Sequence, residues 1–294
     1  MIGRAPLPAF TMLPPHALAE SQVGWQADLD LAFTRRGERT VLTRNQHRGP
    51  LQVQKALYPE GQDTCHIAVL HPPGGVAAGD RLCVRVFLGD ESRALLTTPG
   101  ATKWYRSEGA WARQRMHFSV GGDASVEWLP RENIFFDGAN VSLQLDVDLS
   151  GQAKYFGWDI VSFGRRASGE TWRYGKLNSH THIRCADRVL WSEVANVDAQ
   201  SGFAHSPAGL AGFTVCGTFV CAGSQVSAAV LADCRGVKRP EGSRVGVTHV
   251  PRVLIARYLG DSSEDAFQWF ENLWVVLREA ALGKVAHPPR VWAC

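Results

Sequence analysis

The chain has 294 residues, 45% hydrophobic and 20% charged, with 29 glycines, 15 prolines and a formal net charge of +3. That length and composition provide for a large apolar core, which excludes a disordered or fibrous protein. The small charge, with no cluster of Lys and Arg interleaved with aromatics, excludes a nucleic-acid surface.

Composition offers no point at which to divide the chain, so one domain over residues 1–294 is expected, and the many turn formers favour β structure. Met1 to Glu20 is interrupted by Pro6, Pro8, Pro14 and Pro15 and lacks an apolar core, so it does not read as a signal peptide, and a cytoplasmic location is expected. Trp25, Ala27, Leu29, Leu31 and Phe33 alternate with polar residues, predicting a strand with one buried face, and Arg35 to Glu38 reads as a turn. Shorter strand signals follow at Cys65 to Leu70, Leu82 to Leu88, His117 to Val120 and Ser125 to Leu129. The cleanest alternation runs from Val141 to Leu149, followed by Tyr155 to Phe163 and His180 to Arg184.

Ala199 to Ala232 contains no Asp, Glu, Lys or Arg, but its glycines, proline and serines break it too often for a membrane span. It reads as buried strands at Phe213 to Val220 and Val226 to Leu231. Another strand is predicted at Val253 to Tyr258. Near the end, Ser262 or Ser263 caps a helix in which Phe267, Phe270, Trp274, Leu277 and Ala281 recur at helical spacing until Gly283 stops it. Pro288 to Trp292 then reads as extended, and no internal repeat is visible. The seven cysteines form no Cys-x-x-Cys pair and read as reduced, buried apolar residues.

No Gly-x-Ser-x-Gly elbow, His-Glu-x-x-His helix or dinucleotide fingerprint is present. Four unusual runs hold the remaining chemistry. The first, His71-Pro72-Pro73-Gly74-Gly75-Val76-Ala77-Ala78-Gly79-Asp80, fails as a phosphate loop because it lacks Gly-Lys-Ser/Thr and leads into a strand. The second, Leu96 to Ser107, is dense in hydroxyls that either satisfy turn backbone or line a wet passage. The third, Trp128 to Ala139, sets Glu132 and Asp137 among large apolar side chains, where a carboxylate needs a hydrogen bond, a cation or water. The fourth, Gly164 to Glu170, adds an acid whose simplest partner is Arg165 or Arg166. His180, His182 and Arg184 share one strand face, a solvated surface or, against the opposing arginine charge, a metal pair.

In this order, and with Pro50 to Gln54, Leu57 to Gly61, Tyr258 to Ser262 and Pro289 to Trp292, the four runs resemble the UreD (also called UreH) family of urease accessory proteins. The resemblance extends from about Gly24 to the C-terminus. Arg131 departs from the glutamine expected there, and Arg166 from a frequent proline. The resemblance implies an all-β fold of layered, helix-like wound sheets with few helices, including one C-terminal α-helix. It further implies a non-catalytic scaffold that binds a UreF-type helical protein, recruits a UreG-type GTPase and conducts nickel(II) to apo-urease, with nickel only transiently bound. By matched position, Thr98, Lys103, Glu132, Asp137 and Glu170 are the candidates for that passage, with His71 and Asp80 as further candidates. Two other readings stay open: an enzyme using Lys103, Tyr105, Glu132 and Asp137 around a pocket, and an interaction module without metal passage. The terminal helix and Ala199 to Ala232 are the candidate partner surfaces.

Overall fold

The protein is described here from a computed structural model of residues 24–293, so the reading of Met1 to Glu20 lies outside the described residues. Strands β1 (Gln26–Arg36) and β2 (Arg39–Arg48) form a hairpin, and β3 (Gln52–Val53) leads into a repeating pattern. It comprises β4 (Thr64–Leu70), β5 (Gly75–Val76) and β6 (Arg81–Leu88); β7 (Arg93–Thr97), β8 (Thr102–Trp104) and β9 (Ala112–Val120); and β10 (Ser125–Trp128), β11 (Asn133–Phe135) and β12 (Asn140–Leu149). A fourth turn is made by β13 (Lys154–Phe163), which spans two strand positions, and β14 (Lys176–Cys185). The chain then continues through β15 (Arg188–Asp198), β16 (Val215–Ala222), α1 (Ala228–Gly236), β17 (Arg244–Val250), β18 (Val253–Gly260) and α2 (Ser263–Leu282).

Equivalent strands of successive turns pair in parallel: β4 with β7, β7 with β10, β10 with β13, and likewise β6, β9, β12 and β14. The chain therefore winds as a β-solenoid-like stack with a rung about every 30 residues. No repeat was visible in the sequence because each rung fills its inner positions with different side chains. The result is a seven-stranded sheet, β15-β14-β12-β9-β6-β1-β2, facing an eleven-stranded sheet, β17-β18-β16-β13-β10-β7-β4-β3, with β5, β8 and β11 beside it. This agrees with the expected all-β, helix-like winding.

The inner faces of the two sheets enclose one core, including Leu29, Phe33, Val84, Phe118, Val126 and Val147. The outer face of the smaller sheet is polar, held by cross-strand pairs such as Arg85 with Asp30 at 2.5 Å and Asp28 at 3.1 Å, and Asp148 with His117 and Arg184. The helices cover the back of the larger sheet. There Trp158 and Phe219 meet Phe267, Phe270, Leu273 and Trp274 in a second apolar cluster.

The expected terminal helix is α2, with the Ser262 hydroxyl accepting from the Asp265 N–H. Gly283 ends it at φ 64°, a left-handed conformation that glycine adopts without strain. Its apolar stripe is spent on the protein's own core and is not a free partner surface. Arg278 on the same helix is fully buried, Nη2 2.6 Å from Glu60 Oε1 and Nε 3.0 Å from Glu127 Oε2.

Several expectations are corrected. Val226 to Leu231 is not a strand: Ser227 caps α1, accepting from the Val230 N–H, and the alanine-rich run favours helix. Trp25 is 59% exposed just ahead of β1, so the buried face begins at Ala27. After Pro289, Arg290–Ala293 forms a 3₁₀ turn instead of continuing extended. Strands β2, β15 and β17 went unrecognised because they lie at sheet edges and expose many side chains, which erases one-sided patterning.

Candidate functional site

Three of the four unusual runs meet at one place. The chain between β4 and β5, β7 and β8, and β10 and β11 breaks at residues 71–74, 98–101 and 129–132, side by side in the larger sheet. Each break carries proline, at Pro72 and Pro73, Pro99 and Pro130, which has no N–H to extend the ladder. Pairing resumes beyond, where Thr102 N–H donates to Glu132 O at 2.9 Å. Thr97 Oγ1 donates to Leu129 O at 2.6 Å, and Thr98 Oγ1 accepts from Arg131 N–H at 2.9 Å, so side chains satisfy what the ladder omits. Gly75 is required on the far side: a Cβ there would lie 2.5 Å from the Tyr105 ring.

Strand β13 does not break. It pairs with β10 through Lys154 to Gly157 and with β11 through Val161 to Phe163, which leaves Trp158, Asp159 and Ile160 opposite the gap. Trp158 faces the helices and donates its indole N–H to Pro130 O at 2.7 Å, so Asp159 faces inward.

Behind the breaks lies a cavity of about 400 Å³ between the sheets. At one end it is lined by His71, Thr98, Pro99, Gly100, Pro130 and Arg131, and at the other by Ser179, Thr181, Glu193, Cys216, Thr218 and Arg257. Met116, Leu143 and Leu145 give its middle an apolar wall. A space of this size holds on the order of ten waters.

Its polar groups are dispersed. Asp159 Oδ1 accepts from Asn133 Nδ2 at 2.7 Å, and Asn133 Oδ1 accepts from the Trp104 indole at 2.9 Å. Half-buried on the cavity wall, the Asp159 carboxyl is pushed up to about 6 by desolvation, assisted by the negative charge of Glu193. Across the gap between the sheets, Arg257 Nη1 donates to Glu193 at 2.6 Å and to Thr218 Oγ1 at 2.8 Å. Burial pushes the Cys216 thiol up to about 12, so it is protonated at neutral pH. Among the described residues no group of three or more His, Cys, Asp and Glu is disposed to enclose a metal.

Of the residues expected on a passage, His71 and Thr98 line this cavity. Asp80 accepts from the Trp25 and Ala77 N–H groups at 2.8 Å each and clips the first run to β1. Asp137 accepts from the Arg173 and Tyr174 N–H groups and from the Arg173 guanidinium; these outweigh its desolvation and hold the carboxyl below its ordinary value. Glu170 takes Arg165, at 2.9 Å, in preference to Arg166, and this bond holds its carboxyl down. Lys103 is exposed on β8, and Glu132 accepts from Ser263 Oγ at 3.3 Å. Tyr105 packs edge-on to Phe136 at 5.1 Å. None of Lys103, Tyr105, Glu132 and Asp137 lines the cavity. His180 and His182 have ring centroids 6.1 Å apart, with Arg184 paired to Asp148.

Asp159, Asn133, Glu193, Cys216 and Arg257 were missed by sequence reasoning. The available signal was Asp159 itself, the one carboxylate within the apolar stretch Tyr155 to Phe163. Because its folded value, about 6, exceeds the ordinary 3.8, the Asp159 contribution to stability falls as pH rises from about 4 to about 6 and is level above. Asp159→Asn keeps an acceptor for Asn133, and at pH 7 it is expected to gain about 1–3 kcal/mol and lose that slope. Urea denaturation at pH 4 and pH 7 measures this, and destabilisation at pH 7 would contradict it.

The family model described as UreD urease accessory protein matches residues 26–293. The chain is 48% identical over 281 residues to a protein named urease accessory protein UreD from Dechloromonas aromatica, covering 95% of this chain and 98% of that one. A protein of the same name from a Janthinobacterium species is 45% identical over 91% of each chain, and one from Pseudomonas fluorescens is 40% identical over 95% and 98%.

Proposed function

The chain belongs to the UreD family of urease accessory proteins, and on that premise we propose that it is a non-catalytic scaffold through which nickel(II) passes to apo-urease. The supporting observation is the inter-sheet cavity, whose oxygen, imidazole and thiol groups are spread along its walls instead of gathered into a cage. A conduit must release its cargo, and dispersed donors bind a borderline cation weakly enough for that. Nickel is the substrate of this process. Asp159 supplies the negative charge that favours a cation inside, Glu193 being neutralised by Arg257, and entry past Asp159 displaces its proton or finds it already lost. Thr98 and His71 stand on the route. Asp80, Asp137 and Glu170 shape the turns beside it, and Lys103 and Glu132 flank the breaks.

The partners in this reading are a UreF-type helical protein, a UreG-type GTPase that brings nickel, and apo-urease, all in the cytoplasm. No helix among the described residues is long and apolar enough to cross a membrane. Apo-urease coexpressed with the other accessory proteins at limiting nickel is expected to lose most of its activity and bound nickel when this chain is deleted. Unchanged activity and nickel content would overturn the reading.

A further inference from the structure

We propose that the His71 imidazole is itself a ligand for a borderline divalent cation, the residue that receives the ion at the end of the cavity formed by the strand breaks. The inference rests on the conduit reading and assigns one step of it to one side chain.

Both ring nitrogens of His71 are buried and neither has a hydrogen-bond partner. Buried polar side-chain atoms in folded proteins are nearly always paired, and an imidazole with two orphaned nitrogens is costly to keep. Among the described residues, the other orphaned atoms, on Trp172, Trp191, Ser224, His249 and Trp269, occur singly. His71 alone among the described residues combines the loss of both partners with a place on the cavity wall.

The surroundings favour a metal over a proton. Desolvation lowers the His71 pKa, against a smaller opposing effect of Asp80, so the ring keeps a free lone pair at neutral pH. Asp80 does not compete for the ring, because Trp25 and Ala77 occupy its oxygens. The negative charge nevertheless lies near enough to favour a cation. The turn that carries His71 is fixed: Gly74 N–H donates to His71 O at 3.0 Å, and Pro72 and Pro73 restrict the backbone between them. A neutral imidazole on a fixed turn, with water as the remaining ligands, suits Ni(II), Co(II) or Zn(II) and binds none of them tightly.

The test uses the full chain with His180 and His182 replaced by glutamine, which removes a competing surface pair. Cobalt(II) chloride is the probe, followed by histidine-ring proton–nitrogen NMR and calorimetry at pH 7.5. Substoichiometric cobalt is expected to shift and broaden the His71 ring signals, and His71→Gln to weaken binding by about tenfold or more. His71 signals that ignore cobalt, or a His71→Gln variant with unchanged affinity, would overturn the proposal, water then being what fills the site. The conduit reading fails separately: if deleting the whole chain leaves urease maturation intact, His71 can still bind cobalt while the route loses its purpose. If deletion abolishes maturation and His71→Gln changes neither binding nor maturation, the route stands and His71 is not on it.

Discussion

Replacing Arg278 by methionine is expected to destabilise the protein by about 3–5 kcal/mol, the cost of breaking a buried ion pair from one side. The guanidinium has no exposed side-chain surface, and it donates to Glu127 from Nε at 3.0 Å and to Glu60 from Nη2 at 2.6 Å. It also donates to the Val285 carbonyl. Glu127 takes a further bond from the Trp274 indole at 2.6 Å, and Glu60 one from His66 at 2.6 Å. Methionine matches the bulk of the arginine stem but leaves two buried carboxylates facing each other without a cation. Urea denaturation at pH 7 measures the loss, and a change below about 1 kcal/mol would show that the site relaxes or admits water. Adding Glu60→Gln and Glu127→Gln removes the unpaired charge and is expected to recover part of it.

The same network predicts a pH window. Burial alone would raise the Glu60 carboxyl, but the bonds from His66 and Arg278 outweigh it and hold the value at about 2, below the ordinary 4.5. Its stabilisation is therefore complete above pH 4.5 and is lost as pH falls towards 2. In the Arg278→Met variant that acid-side slope should shrink.

Trp292→Ala is expected to cost about 3–5 kcal/mol as well, by a different route. The ring is only 9% exposed, with centroids 5.0 Å from Phe267, 5.7 Å from Trp274 and 5.8 Å from Trp158. Its indole N–H donates to Thr97 Oγ1 at 2.7 Å, and its carbonyl accepts from Arg131 Nη2 at 2.8 Å. Thr97 ends β7 at the edge of one strand break, and Arg131 belongs to another that walls the cavity. The substitution should therefore also speed amide exchange at residues 98–101 and 129–132 relative to the smaller sheet. Trp292→Phe keeps most of the packing but leaves the Thr97 hydroxyl with one partner fewer, at a cost of about 1 kcal/mol. Equal exchange in both sheets of the alanine variant would separate the C-terminal turn from the cavity wall.

Where a segment presents one face to the core, the sequence was a sufficient guide. The Val141 to Leu149 alternation became β12, and the Ser262 cap, aromatic stripe and Gly283 stop became α2. Where a segment is short and apolar, pattern does not separate helix from strand: Val226 to Leu231 reads as a strand, but from Ala228 the chain forms α1, which packs against α2. Of the carboxylates singled out in the sequence, Asp80, Asp137 and Glu170 stand at turns, each held by N–H groups and the latter two also by arginines, while Glu132 accepts from Ser263. The cavity carboxylate opposite the breaks, Asp159, lies within a strand that the sequence marks only as apolar.

The sequence by itself determined the strand-rich class, the capped terminal helix and, through four ordered runs, the family. It did so because alternation, capping and turn chemistry act between residues a few positions apart. Only the tertiary structure decided that Pro72, Pro99 and Pro130 lie side by side, that their breaks open a cavity, and that His71 faces it while Asp80 secures the loop. Those relations join residues about 30 positions apart, through the parallel stacking of one rung on the next, and the stacking depends on lateral hydrogen bonds and shared burial that leave no periodic mark on the chain.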